Sequence, residues 1–167
     1  MPLVKAGRIV EDRFVRWTDE APPPDGVAVL VTRERLLADG DALLRRNGAT
    51  GVIWPNNLKL AEIAQYVDRL DVIALVFPTF KDGRAYSQAR ILREQYRFDG
   101  ELRATGQVLR DQFLFMLRAG FDAFEVTKTG DAEAFVEATR RYSAFYQPAG
   151  DGRGPALRRQ MAEAAAG

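Results

Sequence analysis

Thr79, Lys81, Arg84 and Ser87 lie within nine residues of one another, in a loop that also holds Asp82 and Gly83. The loop follows the apolar run Val72 to Phe77, which ends at Pro78, and it opens into a helical pattern from Ala85 onward. Hydroxyl and cationic side chains beside the first N–H groups of a helix can bind an oxyanion, because the unpaired donors and the helix dipole favour negative charge there. Gly83 permits close approach, whereas Asp82 competes, since a carboxylate beside the same donors can cap the helix itself. No GxxxxGK[ST] or GxGxxG phosphate-binding pattern is present. Arg103 and Arg110 flank the end of a later strand, and they meet Lys81 at one rim if the two strands are adjacent and parallel. Glu125, near the end of the following strand, adds a carboxylate. Trp54 closes an earlier strand, where its ring either covers a planar ligand such as flavin or a nucleobase or fills the core. Lys81 and Tyr86 are the candidate proton donors, and Glu125 the candidate carboxylate acid or base; Thr79, Lys81, Arg84, Ser87, Arg103, Arg110 and Trp54 are the candidate ligand-binding residues.

Two absences limit the chemistry. The 167 residues include neither cysteine nor histidine. Thiolate nucleophiles, thiolate-held iron–sulfur clusters and the usual zinc sites are thereby excluded. So is the side chain best suited to proton transfer near neutrality. A carboxylate-only site, as for magnesium, is the one metal site compatible with the composition, and no metal is assigned. With 24 basic and 23 acidic residues the net charge is +1, so no global field draws the chain to nucleic acid or to an anionic membrane. No apolar run is long enough to span a bilayer and no basic segment precedes an apolar one at the start, so a soluble, cytoplasmic protein is expected.

Strand-like and helix-like segments must position these groups. The apolar pairs Ile9-Val10 and Phe14-Val15, separated by Glu11-Asp12, predict a short β-hairpin over 8–17, followed by a stiff connector around Pro22-Pro23-Pro24. Five strands are then expected, beginning near Val27, Gly51, Val72, Glu101 and Phe121. The fourth is unusual in alternating polar and small residues where the others form an apolar block. Helices are expected after each strand: one through Leu36 and Leu44 weakened by Gly40, one through Leu60, Ile63 and Val67, and one through Ala85, Ala89 and Leu92. A fourth covers 107–119 and a fifth 131–146, with Phe135, Ala138, Tyr142 and Phe145 inward. Arg90, Arg93 and Arg97 read as a solvated basic stripe. The run Phe113 to Leu117 is apolar all round, so it should be covered on more than one side, under the N-terminal hairpin or in a homo-oligomer. The fold class is α/β: a five-stranded, mainly parallel sheet of flavodoxin-like type with helices on its faces, or alternatively an incomplete TIM barrel. Residues 1–26 form the hairpin and connector, 27–146 the α/β domain, and 147–167 a flexible tail.

The segments FPTFKDGRAYSQAR (77–90), GELRATGQVLRDQ (100–112) and GFDAFE (120–125) resemble a bacterial family of unknown function, over roughly 27–146. Its members are commonly labelled probable oxidoreductases of sulfite reduction, a label drawn largely from gene neighbourhood with assimilatory sulfite reductase. The resemblance implies a pathway and brings no catalytic residues with it. Sulfite reduction needs clustered iron and a haem-type centre, and a chain without cysteine does not hold such clusters. Three functions are therefore carried forward. The first is an accessory or regulatory protein of sulfate or sulfite reduction that binds an oxyanion or partner, such as sulfite reductase, at the strand-end rim. The second is a flavin- or nicotinamide-dependent reductase of the same pathway, and the third a purely structural interaction module.

Overall fold

The computed structural model describes residues 2–79, 81–127 and 129–141. The five expected strands form near their expected places, β7 by its position in the alternation and not by an apolar block: β4 (Val29–Thr32), β5 (Thr50–Trp54), β6 (Val72–Phe77), β7 (Glu101–Gly106) and β8 (Ala123–Glu125). They pair in chain order and in parallel. The N-terminal segment adds three more strands, β1 (Leu3–Lys5), β2 (Arg8–Val10) and β3 (Val15–Arg16). β1 and β2 extend the sheet antiparallel beyond β8, and β3 joins the far edge parallel to β4. The sheet is thus mixed and eight-stranded, in the order β2-β1-β8-β7-β6-β5-β4-β3, where five mainly parallel strands were expected. The flavodoxin-like winding is also corrected, because the order from β3 to β8 contains no reversal and each next strand lies on the same side of the one before.

The expected 8–17 hairpin is split between the two edges of the sheet. The actual hairpin turns at Ala6-Gly7, both with positive φ (49° and 68°), as a two-residue loop of that handedness requires. Glu11-Asp12, expected to be its turn, belongs instead to a strap, residues 11–14, that runs from β2 at one edge to β3 at the other. Five Cα steps from Val10 to Val15 span at most about 18 Å. A flat eight-stranded sheet would separate its edge strands by roughly 34 Å. The sheet must therefore curl, and Arg16 on β3 indeed reaches Thr105 on β7 and Glu125 on β8. Glu101 is the β7 residue level with Arg16 across the ladders, so the contact at Thr105 lies four residues further along; such stagger accompanies tilted strands in a curled sheet.

Strand alternation sorts the side chains between two faces. Ile73, Leu75 and Phe77 join Val29, Val31, Val52, Trp54, Leu102, Ala104 and Phe124 in the main core. Buried residues of all four helices pack there: α1 (Arg33–Arg45), α2 (Arg84–Glu94), α3 (Phe113–Ala119) and α4 (Thr129–Arg141). Val72 and Ala74 face the other way, into the concave side, where Phe14 of the strap covers them with Leu30. Thr32 caps α1 by accepting from the Arg35 N–H, and α1 kinks at Asp39, beside Gly40. A Cβ at Gly40 would lie 2.9 Å from the Tyr66 ring, so the glycine serves close packing. The helix expected through Leu60 and Val67 is two 3-10 turns, Leu60–Ile63 and Val67–Arg69; buried residues at 60, 63, 66 and 67, and 70 follow a three-residue period. Of the helix expected over 107–119, only α3 is α-helical, preceded by a 3-10 turn at Arg110–Gln112 and ended by Gly120 at φ 106°. Phe115 on α3 is 63% exposed, so the described residues do not cover that helix all round.

Arg93 does not belong to a solvated stripe. It donates to the carbonyls of Phe98, Gly100 and Gly120 and to both oxygens of Asp122, tying the end of α2 to the starts of β7 and β8. Burial raises the Asp122 carboxyl above its ordinary pKa, although Arg93 and the Leu102 N–H pull it down. On α4, Phe135 packs edge-on against Phe113, at 4.4 Å between ring centres. The expectations at Ala138, Tyr142 and Phe145, and for 147–167, fall outside the described residues and side chains. Among the described residues no helix is long and apolar enough to cross a membrane.

Candidate functional site

The loop after β6 takes the form that Asp82 dictates. Its Oδ1 accepts from the Arg84 backbone N–H (3.2 Å) and from Arg84 Nε (2.9 Å), while Oδ2 accepts from Nη2 (2.6 Å). The guanidinium fork is filled from within the loop, and that contact holds the Asp82 carboxyl well below the usual carboxylate range. Thr79, Lys81 and Ser87 are exposed around it, and Arg110 is exposed at its 3-10 turn. Tyr86 stands edge-on to Phe77 at 5.2 Å, and burial raises its hydroxyl pKa, away from the range useful to a proton donor near neutrality. Trp54 is fully buried, with the Arg33 guanidinium 6.0 Å from its ring and Arg33 bonded to Glu62. It offers no open face to a flavin or nucleobase, which corrects the stacking role. Among the described residues, Trp54 Nε1 and Gln88 Oε1 are buried without hydrogen-bond partners at this end of β5 and α2, and a hydrogen bond from the Asn56 side chain also helps to hold the Asp82 carboxyl low.

Arg103 and Glu125 do not join that rim. They project from the opposite, concave face, because residues 101, 103 and 105 alternate with core residues Leu102 and Ala104, and Ala123 and Glu125 flank core residue Phe124. The expected convergence of Arg103 with Lys81 and Arg84 therefore fails on strand parity: Arg84 and Tyr86 stand on α2, which packs against the other face. The catalytic candidates are likewise divided, with Tyr86 on the helix side and Glu125 beneath the strap.

The concave face instead assembles a compact ionic cluster. Arg103 is fully buried in mid-strand, with Ala74 and Ala123 as its register partners on either side. Its Nη1 donates to Asp12 Oδ2 at 2.6 Å and its Nη2 to Asp12 Oδ1 at 3.1 Å, a bidentate pair. Nε donates to Glu101 Oε1 at 2.8 Å, and Nη1 also reaches Glu125 Oε1 at 3.2 Å. Glu125 Oε2 accepts from Thr105 Oγ1 and from Arg16 Nη2, each at 2.6 Å, and Lys5 Nζ pairs with Glu101 Oε2 at 2.6 Å. The Phe14 ring lies 5.6 Å from Arg103 Cζ. Burial pushes the Asp12 carboxyl up, but the hydrogen bonds from Arg103 and the Phe14 N–H, with the charges of Arg103 and Arg16, outweigh it and leave the pKa lowered. For Arg103, burial favours loss of the proton, and Asp12 and Glu101 more than restore it, so the guanidinium stays charged. Among the described residues no group of acidic side chains is arranged to hold a metal ion.

Asp12, Arg16, Glu101 and Thr105 were missing from the candidate residues. The period-two alternation of Glu101, Arg103 and Thr105 was the available signal, since a strand with one polar face must turn that face to solvent or to a polar interior. Asp12 and Arg16 had none, because only the curl brings β3 to β7. Chemically, the cluster sets a buried guanidinium against three carboxylates, beside a hydroxyl and a second arginine, and each of those carboxylates accepts from at least one donor.

Fold and site together define an α/β protein whose curled mixed sheet encloses a buried arginine and its ionic cluster on the concave face. The chain belongs to a family described as bacterial protein of unknown function (DUF934), whose model matches residues 51–157. No curated protein matches it.

Proposed function

We propose that the chain is an accessory or regulatory protein of assimilatory sulfate or sulfite reduction that binds a small sulfur oxyanion, with Arg103 as the anion's principal ligand. The pathway is suggested by the resemblance in 77–90, 100–112 and 120–125. The binding role is carried by one observation, the buried Arg103 fork on the concave face, which already holds a carboxylate in bidentate contact. Thr105 and Arg16 supply further donors within the same cluster. An accessory role also suits a chain without cysteine or histidine, and the separation of Tyr86 from Glu125.

Calorimetric titration with millimolar sulfite at constant ionic strength tests the reading. One anion per chain is expected for the natural protein, with loss of binding in Arg103→Met under conditions where circular dichroism reports an intact fold. Absence of binding in the natural protein and in variants that expose Arg103, or binding unchanged in Arg103→Met, overturns it. For the pathway, a strain lacking the gene should grow slowly on sulfate and normally on cysteine; equal growth on both would refute that half of the proposal.

A further inference from the structure

We infer that the 11–14 strap is a built-in competitor for this site: the Asp12 carboxylate occupies the place of a singly charged oxyanion, which enters by displacing it. The inference rests on the anion-binding reading of Arg103. Asp12 contacts the fork through both oxygens, at 2.6 and 3.1 Å, as an external carboxylate or hydrogen sulfite would through two of its own.

Charge balance selects the class of ligand. Lys5, Arg16 and Arg103 face Asp12, Glu101 and Glu125, three cations against three carboxylates. Glu101 retains Lys5 and Glu125 retains Arg16 when Arg103 is discounted, whereas among the described residues Asp12 makes its ion pair with Arg103. Lifting Asp12 away therefore leaves the cluster with one excess positive charge, while Arg103 keeps its contacts to Glu101 and Glu125. A singly charged anion restores neutrality, and a doubly charged one overshoots it.

The strap is also the element best placed to move. Glu101, Arg103 and Glu125 are fixed within ladder-paired strands, but Asp12 lies between strands and its side chain is 28% exposed, which opens a path from solvent. β3 has only two residues, held through the N–H groups of Val15 and Trp17 on the carbonyls of Ala28 and Leu30. Beside Arg103 stand the small side chains of Ala74 and Ala123, with Phe14 of the strap packed over Ala74, so moving the strap uncovers the guanidinium. The simpler alternative, an ion pair that only staples the sheet edges together, is an outcome of the test.

The natural chain, Asp12→Ala, Asp12→Ser and Arg103→Met are titrated with sulfite, acetate and sulfate at constant ionic strength. Removing the tethered competitor should tighten sulfite or acetate binding roughly ten- to a hundredfold, the fraction by which a charge-assisted pair keeps the site closed. Sulfate should gain less, and Arg103→Met should bind none of them. Preference for sulfite over acetate marks a sulfur oxyanion as the ligand, and the reverse marks a carboxylate. In the natural chain, saturating ligand should accelerate amide exchange at Val15 and Trp17, a readout that survives if an Asp12 variant fails to fold. Equal affinity in the natural chain and the Asp12 variants, or unchanged exchange at saturation, overturns the strap while leaving the site. Binding by none of the chains overturns the site reading itself.

Discussion

Replacing Arg103 by methionine should destabilise the fold more than replacing Asp12 by alanine, and the structure sets the size of the difference. Breaking a buried ion pair by removing one partner costs about 3–5 kcal/mol, because the other charge stays buried. In Arg103→Met, Glu101 keeps Lys5, Glu125 keeps Arg16 and the Thr105 hydroxyl, and Asp12 can turn toward water. The loss should therefore fall near the lower limit, about 3 kcal/mol. For a chain of 150–250 residues that corresponds to a Tm lower by about 6–12 °C. Asp12→Ala leaves Arg103 with two carboxylates and should cost about 1–2 kcal/mol, near the value of one charge-assisted contact. The double variant should show that the two losses do not add, since the residues touch. Urea unfolding of all four proteins gives these numbers. A loss below about 1 kcal/mol for Arg103→Met would refute the view that buried-charge compensation organises the concave face, and so would an Asp12→Ala cost as large as that of Arg103→Met.

Gly106→Ala should cost about 2 kcal/mol or more in urea unfolding, because φ there is +91° and the new Cβ would lie 2.5 Å from the Phe77 carbonyl oxygen. The lowered pKa of Asp12 means that its contribution to stability is complete above its ordinary value of 3.8 and is lost as pH falls through the lower folded-state value. Unfolding curves below pH 3.8 should thus fall less steeply for Asp12→Asn than for the natural chain. Arg84→Ala should change stability by less than about 0.5 kcal/mol and leave anion binding unaltered, because this 59%-exposed side chain serves Asp82 at the surface. A loss of sulfite binding in that variant, measured by calorimetry, would return the site to the strand-end loop.

Apolar blocks made β4, β5 and β6 legible in the sequence, because a strand buried on both faces has little choice of residue. Glu101 to Gly106 is legible as a strand by its place in the alternation, and its alternating polar residues mark the face that carries the Arg103 cluster. The cations of the 78–84 loop suggest an anion site, while Asp82, two residues before Arg84, is placed to answer that arginine locally. The N-terminal segment was the least legible. Ala6-Gly7 is a short turn flanked by apolar pairs, yet Glu11-Asp12 offered a rival turn, and local pattern alone does not separate a hairpin from two strands at opposite edges of a curled sheet. Asp12 and Arg16 meet residues about ninety to a hundred and ten positions away. That closeness follows from sheet curvature and stagger, which accumulate over all eight strands and are written in no single segment.

The Arg103 Nε–H resonance of isotopically labelled protein reports most directly on the anion site. Its signal should be resolved and slow to exchange in the natural chain, as befits a buried donor on Glu101, and it should shift in a saturable, one-to-one manner when sulfite is added to Asp12→Ala. A resonance that stays unmoved through millimolar sulfite in that variant, while other arginine signals shift, would contradict the assignment of Arg103 as the ligand.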